Sequence, residues 1–320
     1  MSAATHVLAL AGGVGGAKLA CGLAAALPPA DLTLVVNTGD DFEHLGLHVS
    51  PDIDSVTYAM AGLNDPVRGW GLAGETWNAM AAVTRLGGPD WFALGDHDLA
   101  THLLRSQRLR AGDTLSQVTA DFARQLGISH CIVPMSDDPV RSVVETADGD
   151  LPFQDYFVRR RCGPAFRGIR FDGIADARPA RGFLDALDNP RLRAVVLCPS
   201  NPLLSLRPIL SLPGVDAHLR ARGVPVVAVS PFVGGDAVKG PAAKILRELG
   251  VPVSPEGLLG CYDGLVDALV VDARDAAFAE RANMPVLATD TLMRDRDDQV
   301  RLARETLAFV DTLPVRGTAA

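Results

Sequence analysis

The sequence predicts an α/β fold: a mainly parallel β-sheet with helices on both faces and a helical insertion. Strand-like runs recur seven times, and each closes in a polar or glycine-rich turn that leads to a helical segment. The runs are continuously apolar, as strands buried on both faces should be. Four helical segments in succession over residues 55–127 break this alternation and predict a cap beside the sheet.

The elements follow in order. HVLAL (6–10) leads into a glycine loop, and LTLVVN (32–37) leads into TGDDFEH. The insertion reads as SVTYAMAGL, ETWNAMAAVTRL, DLATHLLRSQRL and TLSQVTADFARQLG, and it holds Trp70, Trp77 and Trp91. HCIVPMS (130–136) resumes the sheet. In 151–182, FQDYFVRRR reads as a strand and IRFDGIADARPA as another at a sheet edge. RAVVLCPSN (193–201), PVVAVSPF (225–232), ALVVD (268–272) and PVLATD (285–290) complete the series. The whole chain, 1–320, reads as one domain with a frayed tail, PVRGTAA. Ligands of such sheets bind at the carboxyl ends of the strands, where the polar turns fall.

Composition removes several function classes. A net charge of −8 and a pI near 5.3 argue against coating nucleic acid. Mean hydropathy is +0.17, and no apolar window reaches the length of a membrane span. The N-terminus enters strand-like sequence without the features of a signal peptide, so a cytoplasmic location is expected. Cys21, Cys131, Cys162, Cys198 and Cys261 lack metal spacing and read as buried free thiols.

The candidate chemistry lies at strand ends. Residues 12–16 contain Gly12, Gly13, Gly15 and Gly16, followed by Lys18. They match neither the dinucleotide fingerprint nor the P-loop. Glycines before a helix still let backbone N–H groups reach an anion, with Lys18 in the first turn beside it. A tight strand–helix turn is the alternative. In VVNTGDDFEHLGLHVSPDID, Asp40, Asp41, Asp52 and Asp54 supply hard oxygen ligands suited to Mg²⁺ and a phosphate. Turn chemistry for Asp40 and Asp41, and an N-cap at Asp52, explain them otherwise. DWFALGDHDLATH offers His97 as a base or a solvated turn residue, and Asp98 as a helix cap. Ser200 and Asn201 precede Pro202 at a strand end, and Lys239 sits in a second glycine turn. No nucleophile elbow occurs.

LAGGVGGAKLACGL, VVNTGDDFEHLGLHVSPDIDSVTYAMAG, RGWGLAGETWNAM, WFALGDHDLATHLLR, CPSNPLLSL and VSPFVGGDAVKGPAAK together resemble, in order, the 2-phospho-L-lactate transferase family (CofD-type). The resemblance implies a Rossmann-like fold with a helical insertion, a homodimer and a step of coenzyme F-420 biosynthesis. A phosphorylated three-carbon acid (phospholactate, phosphoenolpyruvate or 3-phosphoglycerate) would pass from its guanosine diphosphate ester to the ribityl hydroxyl of the deazaflavin Fo, releasing GMP. It further implies Mg²⁺ on Asp54, with Asp40 and Asp41 as further ligands. Asp54 would also orient or deprotonate the hydroxyl, and Asp54→Ala is expected to abolish turnover with the fold intact. Phe92, Ala93, Gly95 and Asp96 would line the Fo pocket. Gly12, Gly13, Gly15, Gly16, Lys18, Ser200, Asn201 and Lys239 would hold the nucleotide side. A UDP-sugar-binding regulator of the YvcK-like branch is the rival reading, and the aromatic-rich insertion favours the transferase.

Overall fold

The computed structural model describes residues 4–221 and 223–314; most of the tail expected to fray, 315–320, lies outside the described residues. β1 (His6–Ala11) and β2 (Leu32–Val36) are buried along their whole length. They belong to a seven-stranded sheet in which every printed pairing is parallel. Its order is Cys131–Pro134, β2, β1, Leu192–Leu197, Val226–Val229, Ala268–Asp272, Val286–Thr289. Counted along the chain, the order reverses between β1 and Leu192–Leu197. That is the doubly wound arrangement whose ligand crevice opens at the reversal. All seven strand-like runs of the sequence are strands of this sheet.

Each face of the sheet has its own core. Leu8, Leu10, Val35 and Val195 point into one cluster, and Val7, Ala9, Leu34 and Val196 into the other. The alternation is the two-residue period of a strand with apolar residues on both sides.

The insertion contains α2 (Pro51–Met60), α3 (Asn78–Arg85), α4 (Asp96–Arg110) and α5 (Leu115–Gln125), after α1 (Gly13–Ala26), whose first turn takes in Gly13, Gly15 and Gly16, so that of the expected glycine loop only Gly12 precedes the helix, as its N-cap. The segment 61–77 is not helical, although ETW was read into a helix. Gly62, Gly69, Gly71 and Gly74 all carry φ between 68° and 78°, a left-handed region that ends helices.

Two features differ from the expected pattern. Residues 42–49 form a hairpin, Phe42–His44 with Leu47–Val49, turned by Leu45 and Gly46 at positive φ. FQDYFVRRR is a helical turn, Asp155–Arg159, not a strand. Phe153 and Tyr156 are both buried, and a spacing of three faces one side of a helix rather than of a strand. IRFDGIADARPA does contribute an edge strand, Phe166–Asp172, to a separate antiparallel sheet. All five cysteines are free; Cys21 and Cys198 are buried, Cys162 and Cys261 partly so, and Cys131 is exposed.

Candidate active site

A cleft of about 830 Å³ crosses the carboxyl ends of the strands at the reversal. Its first wall is the glycine loop. The Gly12 N–H donates to Ser200 Oγ at 3.1 Å, and Ser200 Oγ donates back to the Gly12 carbonyl at 2.8 Å. These bonds pin the loop after β1 to the loop after Leu192–Leu197. Gly15 lies so close to that second loop that a Cβ would stand 2.2 Å from the Pro199 carbonyl oxygen. Gly13, at φ 63°, donates its N–H to Asp52 Oδ1 at 2.7 Å. Two loop amides are therefore engaged within the protein. The first turn of α1 leaves further N–H groups free of helical partners. Lys18 sits in the second turn of α1 rather than the first, and its Nζ donates to the Met293 carbonyl at 2.6 Å. Burial first, then nearby Lys239, lowers its pKa. Asn201 accepts from the N–H groups of Leu203 and Leu204 at 3.0 Å each, capping the next turn, while its Nδ2 is buried without a partner. Gly12, Gly13, Gly15, Lys18, Ser200, Asn201 and Lys239 all line the cleft. Gly16 stands behind them, where a Cβ would meet Ser200 Oγ at 2.5 Å.

The centre of the cleft is anionic. Asn37 Nδ2 donates to Asp40 Oδ1 at 2.8 Å and to Asp52 Oδ2 at 3.0 Å. One amide thus holds two buried carboxyl groups together. Burial, then Asp52 and Asp41, keeps the Asp40 carboxyl well above its usual range. Burial pushes Asp52 up to about 6, against the hydrogen bonds from Asn37 and Gly13. Asp52 is no N-cap; that position is Ser50, and the Asp52 side chain serves the glycine loop instead.

Asp41, expected to join the metal set, turns elsewhere. Its Oδ2 accepts from Ser50 Oγ at 2.8 Å and lies 3.1 Å from His48 Nε2. Asp54 is engaged by a different partner. Both its oxygens are bonded by the buried guanidinium of Arg105, NH1 at 3.1 Å and NH2 closer still. Asp54 keeps company with Asp98 and His102, whose potential ligand atoms lie within 4.8 Å of its own. His102 Nε2 lies 3.3 Å from Asp98 Oδ2, and Tyr58 OH donates to Asp98 Oδ1 at 2.6 Å. Burial opposes the charge of Asp98, but the bonds from His102 and Tyr58 outweigh it and lower its pKa. Burial opposes the charge of Arg105 too, and Asp54 more than restores it. Truncating Asp54 would strand that guanidinium in the interior, so the residue bears on stability as well as on the site.

Tyr58, His102 and Arg105 were absent from the sequence reading, and Asp98 was read only as a cap. Their signal was spacing. Asp98, His102 and Arg105 are i, i+4 and i+7 on α4, the positions of a buried stripe, and Asp54 and Tyr58 are i and i+4 on α2.

The far end is aromatic. Trp91 and Phe92 line the cleft, and Phe42 packs edge-on to Phe92 at 4.8 Å. Phe153 and Phe157 stack at 5.4 Å on the opposite side. Ala93 lines the cleft, but Gly95 and Asp96 do not. Asp96 Oδ2 accepts from Thr76 Oγ1 at 2.5 Å and the Asn78 N–H at 3.1 Å, and its Oδ1 from the Ala79 N–H at 3.0 Å, which caps α3. Those bonds, Thr76 first, hold its carboxyl far below the usual range. Glu75 returns the favour, accepting at 2.8 Å from the N–H groups of both His97 and Asp98 at the start of α4. Gly95 is where Glu75 passes, and a Cβ there would overlap its carboxylate. His97 is exposed, with its ring 4.0 Å from Glu75.

A doubly wound sheet of this order, with one cleft at its reversal, places the protein in the Rossmann-like α/β class. The model of the family "2-phospho-L-lactate transferase CofD" matches residues 7–307, and the chain belongs to that family of transferases of coenzyme F-420 biosynthesis. It is 39% identical over 316 residues to a phosphoenolpyruvate transferase of Kitasatospora aureofaciens, covering 96% of this chain and 98% of that one. It is 40% identical over 308 residues to a 2-phospho-L-lactate transferase of Methanopyrus kandleri, covering 95% and 97%. A solved upf0052 family member from Bacillus halodurans shares the fold at TM-score 0.61 and 15% identity, covering 96% of this chain and 99% of that chain.

Proposed function

We propose that the protein transfers a phosphorylated three-carbon acid from its guanosine diphosphate ester to the terminal ribityl hydroxyl of Fo, releasing GMP. The observation that carries this reading is one cleft lined by the glycine-rich turn at the start of α1, by carboxylates and by aromatic side chains. The names of its relatives, at 39% and 40% identity, bracket phosphoenolpyruvate and phospholactate as the acid.

The glycine loop, Lys18 and Lys239 take the diphosphate, and Ser200 and Asn201 hold the nucleotide beside them. The aromatic end takes the flat deazaflavin. Asp54, immobilised by Arg105, accepts a hydrogen bond from the attacking hydroxyl and orients it. The hydroxyl oxygen bonds to the phosphorus bearing the acid, its proton passes to Asp54, and the bond from that phosphorus to the GMP oxygen breaks, releasing GMP. Reactions of this kind depend on positioning and charge neutralisation.

Mg²⁺ suits the Asp40–Asp52 pair. The donors are hard oxygens, both face the cleft, and burial first of all raises both pKa values, so a divalent cation would favour their charged forms. Asp54, Asp98 and His102 fit it less well, because the imidazole prefers softer metals and Arg105 already engages Asp54. When bound, Mg²⁺ supplies neutralisation of the diphosphate oxygens.

Leu103 and Leu104, exposed on α4, offer a face for a homodimer, which light scattering tests. No helix among the described residues is long and apolar enough to cross a membrane. A cytoplasmic location remains part of this reading, since both proposed substrates are small soluble molecules.

The test is direct. Purified protein, Mg²⁺, Fo and the lactyl or enolpyruvyl guanosine diphosphate ester should yield a phosphodiester of Fo and one GMP per transfer. Absence of transfer with both donors overturns the reading.

A further inference from the structure

Five cations line the cleft: Lys18, Arg68, Arg161, Lys239 and Arg294. Three are engaged within the protein. Lys18 reaches the Met293 carbonyl, Arg68 pairs with Asp65, and Arg294 pairs with Asp290 and Asp298. Lys239, in the segment after Val226–Val229, has its Nζ against the insertion, where a Cβ on Gly69 would stand 2.5 Å from it. Arg161 remains, with no hydrogen bond or ion pair to its guanidinium among the described residues.

Its placement is built rather than incidental. The helical turn Asp155–Arg159 is closed by bonds from the N–H of Arg160 to the Asp155 carbonyl and of Cys162 to the Tyr156 carbonyl, both 2.8 Å. Closing it puts two successive non-glycine residues in the left-handed region, Arg161 at φ 49° and Cys162 at φ 55°. Side chains avoid that region unless the surroundings enforce it, and such residues gather at ligand sites. The segment is moored at both ends of the reacting centre. Gln154 Nε2 donates to the Asp40 carbonyl at 3.2 Å, and the Arg159 guanidinium lies 6.0 Å from the Trp91 ring. Arg161, exposed at the end of that segment, lines the same cleft as Asp40, Asp54, Trp91 and Phe92.

The group transferred at that junction carries its own carboxylate. Beside Asp40, Asp52, Asp54 and Asp98 this anion would be repelled. We propose that Arg161 binds the carboxylate of the three-carbon acid and selects donors that have one. Its planar fork matches a carboxylate with two parallel hydrogen bonds. The inference rests on the transferase reading above.

The experiment compares the lactyl guanosine diphosphate ester with its carboxamide in wild-type protein, Arg161→Gln and Arg161→Gly, measuring donor affinity by calorimetry and transfer to Fo by GMP release. Wild-type should favour the carboxylate about 50-fold, the size expected for one charge-assisted pair. Both variants should raise KM for the carboxylate donor 20-fold or more and leave the carboxamide donor and Fo within about twofold. Arg161→Gly also relieves the left-handed strain, so its thermal midpoint should hold or rise while affinity falls, which a structural role would not produce. Equal losses on both donors, or no loss, overturn the assignment. If wild-type binds the donor without transferring to Fo, the function reading fails, and the calorimetric comparison still decides Arg161.

Discussion

The two walls of the cleft are specified by opposite means. On the glycine-rich side the sequence removes side chains, so that the start of α1 and the loop after Leu192–Leu197 can touch across the strand reversal. On the opposite side it adds them, burying Asp54, His102 and Arg105 between α2 and α4 with Asp98 partly buried beside them. The first wall fails when an atom is added, and the second when one is taken away. Steric exclusion needs only neighbours in sequence, whereas the ion-pair wall needs two helices brought together by the fold.

The comparison can be broken most forcefully at Asp54. Asp54→Ala leaves the Arg105 guanidinium buried and unpaired, and should cost about 3–5 kcal/mol of stability besides abolishing turnover. Denaturant unfolding of Asp54→Ala, Arg105→Met and the double variant should show the double to be less destabilised than the singles' sum. Strict additivity would mean the pair is not a unit.

On the opposite wall, Gly15→Ala should cost about 1–3 kcal/mol, because its Cβ meets backbone at Pro199 and not a side chain that can swing away. Unchanged unfolding would show that the two loops part freely. Lys18→Ala should weaken binding of the guanosine diphosphate ester about tenfold, roughly 1.4 kcal/mol, and leave Fo binding unchanged by fluorescence titration. Equal effects on both ligands would erase the division into walls.

The carboxylates between the walls titrate. With Asp52 raised to about 6, the folded protein holds that proton more tightly than the unfolded chain does. Metal-free stability should therefore fall as pH rises from about 4 toward 6, and level off above. Mg²⁺ competes with the same proton, so its affinity should weaken as pH drops below about 6 and its binding should release protons in calorimetry. A pH-independent affinity would remove Asp52 from the metal site. The smallest effect is expected at Asp96. Asp96→Ala should lower the thermal midpoint by uncapping α3 while Fo affinity in the folded protein stays the same.

The same contrast explains what could be read from the sequence. All seven sheet strands were legible because burial on both faces leaves an unbroken apolar run. The glycine loop was legible because its logic is local. Asp54 was found, but its partner Arg105 lies 51 residues away, and a charged residue at a core position of α4 looks like a solvated face until α2 is seen opposite. The hairpin at 42–49 escaped because its turn uses Leu45 at positive φ where asparagine or glycine would have signalled it. Asp96 and Asp98 exchanged roles for a related reason. The residue at a helix start here caps the neighbouring helix, and the expected cap faces the cleft.

That exchange has a further consequence. Glu75 ties off α4 and Asp96 ties off α3, so these two helices of the insertion are clasped to each other. A shared clasp means that the two helix starts loosen together, so a substitution at either cap reaches both helices.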